Sequence, residues 1–135
     1  MKHLKSVLRV TVAVAALTAP VQGFIGQTKR TVDPPPKPLV TFIELGSIRC
    51  IPCRMMQPVM KSMEEKYADQ VKIVFHDVWT PQGQPYAVQY GIRLIPTQVF
   101  LDKNGKEFFR HEGYFPEAEI DKLLQKQGLK IRKQG

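Results

Sequence analysis

Two cysteines occur in the 135 residues, and they stand three apart as Cys50-Ile51-Pro52-Cys53. At that separation two thiols close a small ring with little rearrangement, so the pair suits a dithiol–disulfide cycle. Other chemistries share the spacing. A zinc site needs two more ligands; there are no other cysteines, and His76 and His111 have no motif spacing to supply them. Copper(I) suits two thiolates, but a third ligand is not evident. A purely structural bridge is disfavoured, because a loop of two residues constrains the unfolded chain very little.

The flanking stretches say what must hold the pair. Leu39–Leu45 is an apolar, β-prone run and reads as a buried strand. Ile51–Tyr67 reads as a helix, with Pro58 inside it removing a donor and predicting a kink after the first turn. The cysteines therefore fall at a strand-to-helix junction. There the first thiol meets free backbone N–H groups and the positive end of a helix dipole, which favour the thiolate. Met56, Met60 and Met63 recur at helical spacing, with Val59 beside them, so this face packs on a sheet. With Met55 they make four methionines in nine residues, but core packing explains them better than copper.

Beyond the helix, Val71–Val78 reads as a second strand and Trp79–Gln84 as a turn-rich loop. Pro85–Tyr90 suggests a short helix stopped at Gly91. Thr97–Asp102 is a third strand, joined through Asn104-Gly105 to a fourth over Lys106–Glu112, and the dipeptide predicts a type I′ turn. Pro116–Gln127 closes the domain as a helix, with Gly128 just past its end. The order β-α-β-α-β-β-α implies an α/β domain with a mixed sheet covered by helices.

The remaining sequence bounds where this domain works. The chain is long enough for one domain. Its net charge is +8, but Lys2, Lys5 and Arg9 contribute to that, and no nucleic-acid motif accompanies it. Residues 1–23 have the parts of a secretory signal: a basic start, an apolar stretch over 10–17, and Val21-Gln22-Gly23 before a cleavage point at Phe24. The alternative is an uncleaved membrane anchor, since residues 10–28 carry no charge. Either reading places the protein in the periplasm or otherwise outside the cytoplasmic membrane, where cysteine pairs meet oxidising conditions. Residues 24–38 form a linker whose Asp33-Pro34-Pro35-Pro36-Lys37-Pro38 run is extended and polyproline-like. The folded domain then spans 39–128, and 129–135 reads as a solvated basic tail.

At this point the sequence resembles the thioredoxin family over about 90 residues. Four features carry the likeness: Cys50-Ile51-Pro52-Cys53 opening a helix with Pro58 after it, Glu44 on the preceding strand, the Tyr90-Gly-Ile-Arg-Leu-Ile-Pro-Thr97 loop, and the segment Phe100–Gly113 with its Asn-Gly turn. There are departures. Arg49 stands where the family has tryptophan, Ile51-Pro52 replaces its usual Gly-Pro, and the acid is glutamate rather than aspartate. No room remains before Leu39 for the family's N-terminal strand and helix, so the resemblance implies a trimmed core. Extracytoplasmic reductases that serve cytochrome c maturation, or take electrons through a membrane protein, look most similar.

The resemblance implies a thiol–disulfide oxidoreductase that needs no cofactor or metal. Cys50 would attack a substrate disulfide, and Cys53 would resolve the mixed disulfide. Glu44, on a strand otherwise buried, should have a raised pKa and could take the Cys53 proton through water; a partly exposed glutamate off the strand end is the alternative. The resemblance makes Pro96 a cis-proline facing the cysteines, with the backbone at Ile95 offered to a substrate strand. Arg49, Ile51 and Pro52 complete the implied substrate contacts. Arg49 either favours the Cys50 thiolate, recognises an acidic partner, or is a solvated arginine. Trp79 is either a rim residue or a loop anchor; His76 and His111 read as structural, and Lys72 carries no role.

The expected partners are protein disulfides and a membrane or soluble thiol electron donor, with the chain a monomer and no nucleic acid involved. A reductase or electron carrier is the leading reading. An oxidase or isomerase of the same fold, and a non-enzymatic binding or copper-handling module, are the alternatives.

Overall fold

A computed structural model of the chain describes residues 37–132. The signal segment 1–23, the linker up to residue 36 and residues 133–135 of the basic tail lie outside the described residues. The elements are β1 (Val40–Gly46), α1 (Ile51–Tyr67), β2 (Val71–Asp77), α2 (Gln84–Gln89), β3 (Thr97–Asp102), β4 (Glu107–Glu112) and α3 (Glu117–Lys126). A short 3₁₀ turn, Ala68–Gln70, links α1 to β2. The helix α1 continues through Pro58.

The four strands form one sheet in the order β2-β1-β3-β4. β1 runs parallel to β2 and antiparallel to β3, and β3 pairs antiparallel with β4. The sheet is therefore mixed, and its inner strands carry the continuous apolar pattern expected when both faces are covered.

Alternation along β1 sorts its side chains between two cores. Val40 and Phe42 join Met56, Val59, Met60, Met63, Tyr67, Phe100, Phe115, Ile120 and Leu124 beneath α1 and α3. Ile43 and Leu45 turn to the other face, with Val78 and Val99, against Tyr86, Ala87 and Tyr90 of the α2 region. Phe42 and Phe100 are cross-strand partners whose rings stack at 4.6 Å. Fully burying a side chain of this size contributes about 1.5–3 kcal/mol. The methionines of α1 are core: Met56 is fully buried, and its Sδ accepts the Phe115 N–H at 3.3 Å.

A second layer of polar contacts ties α1 to α3. Lys66 Nζ lies 2.6 Å from both Glu117 and Asp121, Ser62 donates to Glu117, and the Tyr67 hydroxyl donates to Asp121 at 3.0 Å. Residues 129–132, the start of the basic tail, are fastened to the body. Leu129 is buried, Lys130 N–H and C=O bond the Gln70 side chain, and Arg132 N–H donates to Lys66 C=O.

The β3–β4 turn differs from the type I′ expectation. That turn needs positive φ at both central residues, and here Gly105 has φ +81° while Asn104 does not. The loop instead holds three residues, Lys103–Gly105, closed by Asp102 N–H donating to Lys106 C=O and Gly105 N–H to Asp102 C=O. The cause is Asp102: its Oδ1 accepts from Asn104 N–H at 2.8 Å and Lys106 N–H at 3.0 Å, fixing a longer turn.

Candidate redox site at the head of α1

Cys50 and Cys53 are joined as a disulfide, with Cα atoms 5.2 Å apart. Cys50 is the N-cap of α1, with extended backbone (φ −96°, ψ 124°), and its Sγ accepts the Cys53 N–H at 3.4 Å. The sulfur thus occupies the capping position, beside amides that have no partner within the helix. Cys53 is fully buried and Cys50 nearly so, at 8% exposure. Cys50 is therefore the sulfur a partner reaches first.

The loop that presents Cys50 is held from below by Asp77, at the end of β2. Its carboxylate accepts from Ile48 N–H at 3.2 Å and Trp79 N–H at 3.1 Å. Desolvation would push Asp77 up, but these two N–H groups, with Ser47 and Arg49, outweigh it and hold the carboxyl below the usual range. Cys50 N–H donates to Ser47 C=O, and Val78 N–H to Gly46 C=O, which complete the fastening.

Glu44 sits on β1 on the same face as Phe42 and is fully buried. Neither carboxyl oxygen has a hydrogen-bond partner. Burial pushes its pKa from 4.5 up to about 8, with the neighbouring Gln98 amide pulling part of the way back. Gly46 shows how close acid and sulfur lie. A Cβ on Gly46 would come 3.2 Å from Cys53 Sγ and 3.5 Å from Glu44 Oε1, so both groups border the same methyl-sized position.

The Ile95–Pro96 peptide bond is cis, and Pro96 C=O accepts from Gly113 N–H at 2.8 Å. Trp79, Arg93, Leu94 and Ile95 line a concavity of about 320 Å³. A neighbouring concavity of about 420 Å³ is lined by Arg49, Trp79, Thr80 and Pro81. Ile48, Ile51, Trp79 and Leu94 are exposed apolar side chains on these segments. Pro52 is exposed with Ile51.

Arg49 is turned toward Trp79 rather than standing free. Its guanidinium lies 5.6 Å from the Trp79 ring centroid, and Nη2 donates to Trp79 C=O at 3.4 Å. Trp79 is thereby a rim residue. His76 stacks on Tyr86 and His111 on Phe115, both as packing rings. Burial lowers the His76 pKa. Among the described residues no three His, Cys, Asp or Glu side chains gather as a metal site.

Three contributors were not singled out from sequence. Gln98 is legible only through the β1–β3 register, and Asp77 only through the fold of the Cys50 loop. Gly46 had a signal of its own: a glycine ending a strand pattern marks a close approach of other groups.

A family profile described as a thioredoxin-like domain matches residues 26–128. The chain belongs to that family. It is 39% identical to thioredoxin 1 of Synechococcus elongatus over 77 residues, covering 57% of this chain and 69% of the relative. It is 34% identical to the thioredoxin of Bacillus subtilis over 77 residues, covering 57% and 71%. A solved structure of a mutant thioredoxin from Halobacterium salinarum NRC-1 superposes with a TM-score of 0.59 at 26% identity, covering 67% of this chain and 75% of that one. With the Cys50–Cys53 disulfide at its head, this thioredoxin-like protein is a thiol–disulfide oxidoreductase.

Proposed function

We propose that this thioredoxin-like protein works as a reductase or electron carrier outside the cytoplasmic membrane. It would be of the type that serves cytochrome c maturation or draws electrons through a membrane protein. The observation that carries the exchange chemistry is the buried, unpartnered Glu44 beside Cys53, and the likeness to thioredoxins supports the reductive direction.

The cycle starts from the dithiol. Cys50 thiolate, steadied by the head of α1, attacks one sulfur of a substrate disulfide, and the other substrate sulfur leaves as a thiolate. Ile95, ahead of Pro96, offers its backbone to the incoming strand, and Ile51, Pro52 and Arg49 border it. Cys53 then passes its proton to the Glu44 carboxylate and attacks Cys50 Sγ. The Cys50–Cys53 disulfide forms, and the second substrate thiolate departs. A thiol donor, membrane-bound or soluble, returns two electrons to the pair. The protein acts as a monomer.

The export reading rests on residues 1–23, with the uncleaved anchor as its alternative. N-terminal sequencing of the protein recovered from the extracytoplasmic fraction should read from Phe24. A retained Met1 in the membrane fraction supports the anchor, and recovery from cytoplasm alone overturns both.

Disulfide reduction with a small thiol donor, together with the reduction potential of the couple, tests the direction. Turnover with a potential near the thioredoxin end, about −270 mV, supports the reductase. A potential near the strongly oxidising end, about −120 mV, overturns it in favour of an oxidase. Cys53→Ser should accumulate mixed disulfides through Cys50, and their absence would count against substrate capture.

A further inference from the structure

Gln98 is a fully buried polar side chain on an otherwise apolar sheet face. It stands on β3 directly opposite Glu44, as Phe100 stands opposite Phe42 one step along the same face. Side chains paired in this way have Cβ atoms about 5 Å apart. A buried amide is costly unless its hydrogen-bonding groups are used. One of them is: Nε2 donates to Gly113 C=O at 3.1 Å. Only the amide nitrogen can meet a carbonyl, so this bond fixes which way the amide faces. Gly113, at φ +95°, also donates its own N–H to Pro96 C=O at 2.8 Å. The same glycine thus braces the cis-proline loop and the amide behind it. Gln98 keeps one donor and one acceptor spare. Its nitrogen carries two hydrogens and Gly113 takes one, while Oε1 has no partner.

Glu44 needs each of these in turn. As a carboxylate it only accepts; as an acid it also donates one O–H. Cys53 of α1 borders it, its β2 partner is Phe75, and neither of its oxygens has a hydrogen-bond partner. Among the described residues no charged side chain acts on Glu44, whereas the Gln98 amide does, in favour of the ionised form. His111, opposite Gln98 on β4, is turned to Tyr114 C=O and stacks on Phe115.

We propose that Gln98 is the positioning residue for the proton that Cys53 passes to Glu44, offering its spare N–H to the carboxylate and its Oε1 to the acid. This rests on the reading of Glu44 as the proton acceptor. In that step the Cys53 S–H bond breaks and a Glu44 O–H bond forms. The amide meets both states without turning over, because Gly113 holds it. Its bond to the carboxylate is the stronger of the two, being charge-assisted. Gln98 thereby keeps Glu44 able to ionise where the exchange runs, against burial, which opposes the charge. An apolar side chain at this position leaves burial unopposed.

NMR of the oxidised full chain tests this without altering Gln98, since the disulfide leaves neither cysteine to titrate. The Gln98 side-chain amide signals should shift with pH about a midpoint at the Glu44 value of about 8, and should stay flat in Glu44→Gln. Flat signals in the wild type overturn the proposal. Gln98→Met keeps the length of the side chain and removes the amide. In single-turnover kinetics it should slow resolution of the mixed disulfide about tenfold at neutral pH and move the midpoint above that of the wild type. The first attack by Cys50 should be unchanged. Added to Glu44→Gln, the same substitution should slow resolution no further. An unmoved midpoint in Gln98→Met, or an equal loss in the Glu44→Gln background, overturns the role of Gln98 and leaves Glu44 in place. A Glu44→Gln profile identical to wild type removes Glu44 itself, and the role of Gln98 with it.

Discussion

Glu44 and Gln98 are direct partners across the β1–β3 ladder and leave each other unsatisfied. Gln98 donates from Nε2 to Gly113 C=O at 3.1 Å, while its Oε1 and both Glu44 oxygens lack hydrogen-bond partners. A buried carboxyl in that state is held by burial rather than by bonding, and the neutral form is favoured. It is a cost to folding placed beside Cys53, the sulfur that must lose its proton to resolve the mixed disulfide.

The folded pKa of Glu44, about 8, lies above its unfolded value of 4.5. Above pH 4.5 the unfolded chain gives up this proton while the folded chain keeps it. The contribution to stability is therefore full below pH 4.5, falls as pH rises toward 8, and is level beyond. At pH 7 the loss is about 3 kcal/mol. Glu44→Gln should remove this dependence. Urea denaturation should show the variant gaining about 3 kcal/mol more over wild type at about pH 7.5 than at about pH 5. Equal gains at both pH values would contradict the assignment.

The same substitution should slow catalysis. With Glu44 present, resolution of the mixed disulfide should rise with pH to a midpoint near the Glu44 value of about 8. Glu44→Gln should lower the rate on the order of a hundredfold, as for loss of a positioned proton acceptor. Single-turnover kinetics across pH read this directly, and an unchanged profile would remove Glu44 from the mechanism.

Gly46→Ala adds a methyl 3.1 Å from Cys53 Cβ and 3.2 Å from its Sγ. Overpacking of this kind costs about 1–3 kcal/mol, so the oxidised protein should melt lower. The new methyl also stands at the position that Glu44 and Cys53 share. Resolution should slow while the first attack by Cys50 does not, a split that stopped-flow measurements separate.

Trp79 is the only tryptophan, so its emission reports its contact with Arg49. Arg49→Ala should change the Trp79 emission maximum and weaken acrylamide protection of the ring. Loss of the cation–π contact at this exposed site should cost about 0.5–1 kcal/mol. An unaltered spectrum would show that the pair does not persist in solution.

At the α1–α3 clasp, the Asp121 and Glu117 hydrogen bonds raise the Lys66 pKa. This stability is present below the ordinary lysine value of 10.5 and is lost as pH rises through the higher folded value. Asp121→Asn should cost about 1 kcal/mol, since the group is partly exposed. Chemical denaturation at neutral pH measures it, and no change would mean the clasp is geometric only.

Periodicity made most of the fold legible. The helix Ile51–Tyr67 and strand Thr97–Asp102 coincide with their expected bounds, because each has a strong period and clear stop signals. The β3–β4 turn did not follow its dipeptide, because Asp102 upstream captured the loop N–H groups. The sequence leaves three roles open for Arg49, because adjacency to Cys50 does not state where a long side chain folds.

Local chemistry alone determined the Cys50–Cys53 pair, its place at a helix start and the acid on the preceding strand. These depend on spacing and period, which need no partner. Tertiary structure decided the rest. The β1–β3 register set Glu44 against Gln98, and covering both sheet faces buried that acid until its proton was held near pH 8. Along the chain Glu44 and Gln98 look unrelated, because pairing of strands distant in sequence is a property of the sheet and not of any one segment.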